Sequence, residues 1–487
     1  MKNFKLKLIM NKAAYIYIIL LISVSLLVTS CAVTKEDYRK RLEIEKSYNH
    51  TLLENSVSKE KTAAPKAWED FFTDDSLRYV IKEVLTNNLD LNMARQSLTI
   101  YKEYQKAANF AGLPNVNILV GGKLDYFSDN GLYGKSGTQM QAVLNSKKIE
   151  DYAATVNVGW EVDLYGKTRN KKQIAMYNRL KSEMQLKGLQ IQLVASAAQT
   201  YSYIQMLNNQ LLITRKNLQL SENVVRMMNA QYVNGNISKL AVQQSERQYY
   251  FVAAQIPDLV SAVQIHENYL NRLMGKNPKP LEFVSAKEII NRQSVVLGVP
   301  ADLLSRRPDL KEKEYEVEVA YAELGIARTN LYPSFNITAN QGLNSMRVSD
   351  WFNPTSFLSQ FIGQLAQPLF NQRRNKTDIK VKKIVVEQKI SDFKNTYLLA
   401  VNEVSDALVK IEKIKEKQKV LDDENKVLQH ALKNAHILFA NGSALYFEVL
   451  TVQQNLLQNE LQTAESQGDL NTSFIQLYKA LGEQNQQ

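Results

Sequence analysis

The chain has 487 residues, of which 45% are hydrophobic and 22% are charged, and it carries a formal net charge of +11. This length and apolar content suffice for a large folded core, and the low numbers of Gly and Pro favour long helices. The basic residues are dispersed among acids, as where Glu412 and Glu416 interrupt the lysines of residues 410–419. Charge of this kind indicates solvated helix faces and argues against a nucleic-acid partner.

Residues 1–30 predict a signal peptide for export. Several lysines precede an apolar run, residues 13–28, that is shorter than the ~20 residues of a membrane-spanning helix. The run leads through Thr29 and Ser30 into Cys31, the only cysteine of the chain. This order resembles a bacterial lipoprotein signal, in which the cysteine is lipidated. A plain secretory signal with an incidental cysteine is the alternative.

Lipidation at Cys31 has two consequences. It leaves no free thiol for a disulfide, so the fold has to depend on packing. Ala32 follows Cys31. By resemblance to the sorting rules of bacterial lipoproteins, in which Asp at this position marks retention at the inner membrane, the absence of Asp favours the outer membrane. Residues 31–75 are polar, show little periodicity and are predicted to form an extended, lipidated arm that leads to the first helix.

Beyond the arm the sequence contains two copies of one pattern. Asp90 is followed after 24 residues by Pro114, and Asp309 is followed after 24 residues by Pro333. Each interval begins with Asp-Leu, contains no other Pro, and leads into an alternating segment. We therefore predict a first repeat at residues 76–285, an equatorial linker at 286–308 and a second repeat at 309–487.

Landmarks further along keep the same register. Residues 232–235, Tyr-Val-Asn-Gly, match residues 439–442, Phe-Ala-Asn-Gly. Residues 272–275, Arg-Leu-Met-Gly, match residues 479–482, Lys-Ala-Leu-Gly, at the same sequence offset. A period this long is that of a duplicated domain and not of a solenoid.

Each repeat contains two candidate strands. They are predicted at residues 116–126 and 155–164 in the first repeat and at residues 334–344 and 357–370 in the second. Apolar and polar residues alternate within them, as is typical of outer-membrane barrel strands. A soluble, half-buried sheet is the alternative, but the aromatic residues near the strand ends favour a membrane interface.

Four strands are too few to close a membrane barrel, because such barrels begin at about eight strands. Open strand edges cannot face lipid, since their backbone groups would lack hydrogen-bond partners. The strands must therefore close with those of other copies. The residues alone leave open a dimer of about eight strands, a trimer of about twelve or a tetramer of about sixteen.

Two long helical hairpins account for most of the remaining sequence. They are predicted at residues 167–273 and 371–481, with turns at Asn234-Gly235 and Asn441-Gly442, because Asn and Gly tolerate the left-handed conformation. The outgoing helix of each hairpin would span about 100 Å. Pro257 is expected to break the returning helix of the first hairpin.

Catalytic and metal-binding patterns are lacking in the sequence. The four histidines include His430 and His436, which do not share a helical face and have no cysteine beside them, so no metal site is predicted. We find no phosphate-binding glycine loop and no nucleophile motif. No enzyme activity and no cofactor are expected, and the chain is interpreted as a passive duct.

The signal with Cys31, the stretch from Gly298 to Leu310, the duplicated plan and the two Asn-Gly turns resemble the TolC-like outer membrane factors. The resemblance is closest to the lipoprotein branch that serves tripartite, RND-type efflux systems, and its most specific motif is residues 303–309, Leu-Leu-Ser-Arg-Arg-Pro-Asp. It implies an α+β membrane protein: a homotrimer with a twelve-stranded outer-membrane β-barrel, four strands per chain, continued by a long periplasmic α-helical barrel.

The same resemblance implies a mixed equatorial domain, drawn from the N-terminal arm, residues 277–308 and the C-terminus. It also implies the partners, which are a periplasmic adaptor protein, an inner-membrane pump and the lipid of the outer membrane. The function implied is that of an exit duct for small molecules. The duct of a type I protein-secretion system and a non-channel coiled-coil scaffold lipoprotein remain as alternatives.

In this family the hairpin tips close the periplasmic end and dock the adaptor. The residues that fall at the tips are Asn234, Gly235, Asn236, Ile237 and Ser238 in the first repeat and Asn441, Gly442, Ser443, Ala444 and Leu445 in the second. The resemblance places Glu448 in an acidic ring that forms the periplasmic gate, and Thr451 where a second acid is common. The alternative for Glu448 is an ordinary exposed charge on a helix.

Overall fold

The structure, a computed structural model, describes residues 68–126, 128, 130, 148–281, 288–290 and 307–482. The predicted signal peptide, Cys31, most of the arm and most of the linker lie outside these residues. The described chain divides into two compact units. Of the described residues, 100–126, 128, 130, 148–179 and 315–390 form the sheet unit, and residues 68–99, 180–281, 288–290, 307–314 and 391–482 form the helical unit.

Helices make up most of the described chain, as the low numbers of Gly and Pro predict. They are α1 Trp68–Phe71, α2 Asp75–Asn87, α3 Leu89–Phe110, α4 Lys167–Val233, α5 Lys239–Leu273, α6 Pro308–Thr329, α7 Arg374–Ala440 and α8 Tyr446–Leu481. The outgoing helices α4 and α7 have 67 residues each. None of the described helices combines the length and the apolar character that crossing a bilayer requires.

Four antiparallel strands form one sheet in the order in which they occur along the chain. They are β1 Asn115–Tyr126, β2 Lys148–Val162, β3 Ser334–Ser345 and β4 Phe357–Ala366. The register places Val158 opposite Val116 on one side and Ala339 on the other. The outer edges of β1 and β4 pair with no described strand. The fold is therefore the expected one of four strands per chain followed by long helices.

Two strands differ in extent from the sequence prediction. Strand β2 begins at Lys148, well before the predicted start at residue 155, because its first residues pair with the end of β1. Strand β4 ends at Ala366 and not at residue 370. Pro368 follows that end and has no N–H to donate to a ladder, which explains the early stop.

The prediction that Pro257 breaks the returning helix is wrong. Helix α5 runs without interruption from Lys239 to Leu273 with Pro257 inside it. Proline removes one helical hydrogen bond, to the carbonyl of Ala253, but the helix remains packed before and after it through buried residues such as Val252 and, further along, Leu270. In a helix of this length, packing outweighs the loss of one bond.

The core of the helical unit gathers the N-terminal segment and the C-terminal helix. The rings of Phe71 and Phe72 lie 5.0 and 5.6 Å from that of Tyr478 on α8, and all three side chains are buried. The Thr73 N–H donates to the Ile289 carbonyl at 3.0 Å. The prediction of an extended arm as far as Asp75 is wrong for helix α1, because its aromatic side chains have a core to enter.

Arg307 holds the end of the linker against the second hairpin. Its Nε and Nη2 donate to the two carboxylate oxygens of Asp309 at 3.0 and 2.8 Å, and Nη2 also donates to Glu403 of α7 at 2.7 Å. Nη1 donates to the carbonyl of Ala480 on α8 at 3.0 Å. The arginine is thus the contact between the described end of the Leu-Leu-Ser-Arg-Arg-Pro-Asp motif and both helices of the hairpin.

Candidate functional site

The first hairpin tip is closed by a glycine in the left-handed region. Gly235 has a φ of +73°, and its N–H donates to the carbonyl of Tyr232 at 2.9 Å. The N–H of Asn236 donates to the carbonyl of Gln231 at 3.0 Å. These two bonds form a Schellman motif, which satisfies carbonyls that the end of α4 would otherwise leave without partners.

The second tip repeats this geometry at the equivalent positions. Gly442 has a φ of +72° and donates to the carbonyl of Phe439 at 3.0 Å, and Ser443 donates to the carbonyl of Leu438 at 2.9 Å. A residue with a Cβ is strained at either glycine, because this backbone conformation brings the Cβ close to the carbonyl. The duplicated Asn-Gly signal therefore marks two equivalent helix stops.

The two returning helices begin differently. In the first repeat the hydroxyl of Ser238 accepts a bond from the N–H of Ala241 at 3.4 Å. In the second repeat the same position is Leu445, which has no side-chain acceptor. There the carboxylate of Glu448 accepts from the backbone N–H of Leu445 at 3.2 Å. The first tip thus uses one half of a capping box and the second tip uses the other half.

Glu448 and Thr451 lie on the solvent-exposed side of α8, close to the tip. The Thr451 hydroxyl donates to the carbonyl of Phe447 at 2.9 Å. The two residues begin an exposed or half-exposed stripe of alternating three- and four-residue steps that continues through Asn455, Gln458, Gln462, Glu465 and Asp469. The stripe contains carboxylates and amides but no Lys or Arg, so it presents negative charge and hydrogen-bonding groups to solvent.

A buried cluster joins the two tips. Tyr446 and Val449 of α8 pack with Met228 of α4 and Val242 of α5, and Ile237 of the first tip packs against the same cluster. Burial raises the pKa of the Tyr446 phenol, so this side chain stays neutral at physiological pH. The two tips are therefore held as one packed end within the helical unit.

Polar side chains connect the helices just behind this cluster. Gln454 of α8 donates to Gln248 of α5 at 2.5 Å, and Asn217 of α4 donates to Glu460 of α8 at 3.3 Å. Asn459 donates to the carbonyl of Leu421 at 3.1 Å. These contacts could not be predicted from the sequence, because single amides within helical stripes resemble any other surface residue until their partners are known.

The sheet has one mostly apolar face and one polar face. Three successive pairs of the register join four amide residues on the polar face, which are Asn117, Asn157, Asn340 and Gln360. Val116, Val158 and Ala339 alternate with them on the other face. The amides therefore form one row across all four strands, at a single level of the sheet.

The remaining predicted site residues have different outcomes. The tip residues from Asn234 to Ser238 and from Asn441 to Leu445 occupy the two turns, where most of them are exposed. Cys31 lies outside the described residues. Within the described part of the chain, no group of three or more His, Cys, Asp or Glu side chains is arranged to hold a metal ion.

Comparison with known proteins decides the family. A family profile described as outer membrane efflux protein matches residues 80–276 and 299–483, one stretch in each repeat. The chain belongs to the outer membrane efflux protein family. This membership identifies a channel of the outer membrane, and it agrees with the resemblance seen in the sequence.

Two relatives and one solved structure extend the comparison. This outer membrane efflux protein is 27% identical to the probable outer membrane lipoprotein SilC of Salmonella typhimurium, over 85% of the chain and 87% of the relative. It is 25% identical to the cation efflux system protein CusC of Escherichia coli K12, over 94% of the chain and 97% of the relative. The open-state MtrE outer membrane channel of Neisseria gonorrhoeae has the same fold, with a TM-score of 0.80 at 19% identity over 93% of this chain and 98% of that one.

Proposed function

We propose that the protein works as a homotrimeric exit duct in a tripartite efflux assembly. The observation that carries this proposal is the four-stranded sheet, in which the outer edges of β1 and β4 pair with no strand of the described residues. An open edge in lipid leaves backbone groups without partners, so β4 of one copy is expected to pair with β1 of the next. Three copies give about twelve strands, which is above the lower limit for membrane barrels.

The periplasmic partners are assigned by chemistry and by family. The hairpin tips expose apolar and polar side chains together, among them Val233, Leu240 and Leu445. Such a mixture suits contact with another helical protein at the end of the duct. We assign this role to a periplasmic adaptor that connects the duct to an inner-membrane pump, and the pump supplies both the energy and the choice of cargo.

Glu448 and Thr451 are proposed to line the periplasmic gate. Both are exposed near the start of α8, and the stripe that they begin carries acids and amides without bases. Three copies of Glu448 around a trimer axis would repel one another and hold cations. This arrangement favours cations at the closed end.

Cys31 is proposed as the lipid anchor. It is the only cysteine and follows a signal-like apolar run. SilC, which aligns over most of this chain, is described as a lipoprotein. The anchor would supplement the barrel, which itself spans the membrane.

Planar-bilayer recording of the purified, full-length protein tests the duct, and native mass spectrometry of the same sample counts its subunits. We expect discrete conductance steps from a species of three chains. A stable assembly that never conducts would favour the coiled-coil scaffold. A conducting dimer or tetramer would contradict the trimer but not the channel. Conductance by an assembly that exports an unfolded polypeptide in cells would favour the protein-secretion alternative.

A further inference from the structure

Exposed cations surround the two places where a strand leads into a long helix. Arg169 and Lys171 lie in the first turns of α4, and Arg373, Arg374 and Lys376 lie at the start of α7. We call these five residues the basic collar. Lys167 of the first junction and Asn375 of the second line the same cavity of about 280 Å³, so the two junctions are neighbours within the sheet unit.

The apolar face of the sheet fixes the level of this collar. From Val116 to Leu124 the apolar positions of β1 span eight residue steps, or about 27 Å along the strand. Opposite Leu124 the position on β2 is already charged, because Glu150 occupies it. At the usual barrel tilt of about 35–45° a strand of this length rises only about 19–22 Å, which does not exceed a hydrocarbon band about 25 Å tall. The periplasmic edge of the band therefore falls where the strands end, at the two junctions.

An apolar pair stands beside the collar at this level. Leu369 and Phe370, between β4 and α7, are 95% and 85% exposed. Large apolar side chains exposed next to cations are typical of segments that lie in a membrane interface, where the apolar groups enter the acyl region and the cations meet headgroups. The charge and the apolar surface of the junction thus both favour contact with a membrane interface.

Within the described residues, no ion pair involves the collar cations. Ion pairs in this part of the chain involve neighbouring bases instead, such as Lys167 with Glu161 and Lys382 with Glu323. Neither α4 nor α7 has an acid in its first turn, although the carboxylate of Asp163, just before α4, accepts from the backbone N–H of Arg169 at 2.9 Å. Arg373 also has a φ of +63°, which is unfavourable for a residue with a Cβ. The positive end of the α7 dipole thus has no carboxylate in the first turn to offset it, and a bound anion would stabilise this helix start.

We propose that the basic collar binds the headgroups of anionic phospholipids in the periplasmic leaflet of the outer membrane. The cations attract the headgroup phosphates, while Leu369 and Phe370 enter the acyl region. The inference rests on the membrane placement of the barrel in the proposed function. It adds a lipid preference to that placement, and this preference would orient the start of the periplasmic helices against the membrane.

Lipid titration of the purified, full-length assembly in neutral detergent tests the collar. Phosphatidylglycerol and phosphatidylcholine are added separately, and the readouts are the thermal midpoint of subunit dissociation and bound lipid in native mass spectrometry. The variant carries Arg373→Gln, Arg374→Gln and Lys376→Gln. The matched control carries Lys410→Gln, Lys417→Gln and Lys419→Gln, which are exposed lysines on the same helix but outside the sheet unit.

We expect phosphatidylglycerol to stabilise the wild type and the control more than phosphatidylcholine does. In the variant its half-saturating concentration should rise at least about tenfold, since each interfacial cation contributes to anionic-lipid binding. Inorganic phosphate should not replace the lipid, because it has no acyl chain. Raising the ionic strength should weaken the effect.

An equal response of variant and wild type to phosphatidylglycerol would overturn the proposal, and so would an equal effect of the two lipids on the wild type. If the triple variant fails to assemble, the pair Arg169→Gln and Lys171→Gln at the first junction is expected to give a smaller shift in the same direction. Conductance of the variant in a bilayer separates the hypothesis of a lipid-binding collar from the hypothesis of an exit duct. A variant that conducts but has lost its lipid preference leaves the duct intact, whereas a wild type that never conducts contradicts the duct itself.

Discussion

The carboxylate of Glu448 accepts a hydrogen bond from the backbone N–H of Leu445 at 3.2 Å. The bond satisfies a donor that the start of α8 would otherwise leave without a partner, because Leu445 cannot cap the helix with its own side chain. In the first repeat Ser238 serves the same end from the other side of the turn. Glu448 therefore has a local structural role in addition to its proposed place in the gate.

This cap leads to a prediction about the stability of the second tip. Glu448→Ala removes the acceptor and should destabilise the first turn of α8 by about 0.5–2 kcal/mol. Glu448→Gln keeps a side-chain oxygen at the same distance from the backbone, so it should destabilise this turn less. Hydrogen exchange of residues 445–450 measures the difference. Protection in Glu448→Ala equal to that of the wild type would show that the bond to Leu445 contributes nothing to the turn.

The charge of Glu448 leads to a separate prediction about the gate. Glu448→Gln should weaken block by a trivalent cation from the periplasmic side and lower the preference for cations, because it removes three negative charges from a ring but keeps the cap. Thr451→Asp should strengthen block by adding a second ring. Single-channel recording of the wild type and the two variants checks both. Unchanged block in both variants would mean that other residues form the constriction.

The turns and the strand alternation could be predicted from sequence because they depend on local chemistry. Gly235 and Gly442 satisfy a backbone requirement that few other residues meet, and both form the expected helix stops. The alternation of Val158 with Asn157 gives the two faces of β2. Family membership then supports the efflux channel that the resemblance implies. The turn signal and the alternation signal are each contained within a few neighbouring residues.

The features that the sequence did not predict depend on distant partners. Helix α1 forms because Phe71 meets Tyr478, at the other end of the chain. Strand β2 starts early because Lys148 pairs with Tyr126. The cap at Leu445 needed the geometry of the turn, since a glutamate on an exposed helix has many possible roles. Composition along a short window carries no information about such contacts.

The two faces of β2 predict opposite effects of the same new charge. Val158→Arg puts a cation on the apolar face and should cost roughly 2–4 kcal/mol if it lies near the middle of the membrane. Asn157→Arg, on the polar face beside Asn117 and Asn340, should be tolerated. The yield of assembled protein in outer-membrane fractions measures the effect. Equal loss in both variants would contradict a barrel with a lipid face and a lumen face.

Close contact between β2 and β3 makes Gly342 a sensitive position. A Cβ at Gly342 would lie 2.1 Å from the carbonyl oxygen of Ala154 and 2.6 Å from the Cα of Thr155, so Gly342→Ala must push the strands apart. We expect the stability of the fold to fall by about 1–3 kcal/mol, as for other overpacked sites. Gly159→Ala is the control, because a Cβ there meets nothing within 4 Å. Thermal dissociation of the assembled protein should fall for the first variant alone.

The contacts of Arg307 predict that the end of the linker requires the several hydrogen bonds of this side chain as well as its positive charge. Arg307→Ala leaves the carboxylates of Asp309 and Glu403 without their cation and removes a donor from the Ala480 carbonyl. Both carboxylates are partly exposed and regain water in this variant. We therefore expect its free energy of unfolding to fall by an amount at the lower end of roughly 3–5 kcal/mol. Arg307→Lys keeps the charge but cannot form the paired bonds to Asp309 while also reaching α7 and α8, so its loss should be intermediate. Thermal unfolding of the two variants and the wild type measures the order. A lysine variant as stable as the wild type would mean that charge alone holds the end of the linker. An alanine variant that is also as stable would mean that these contacts do not stabilise the fold.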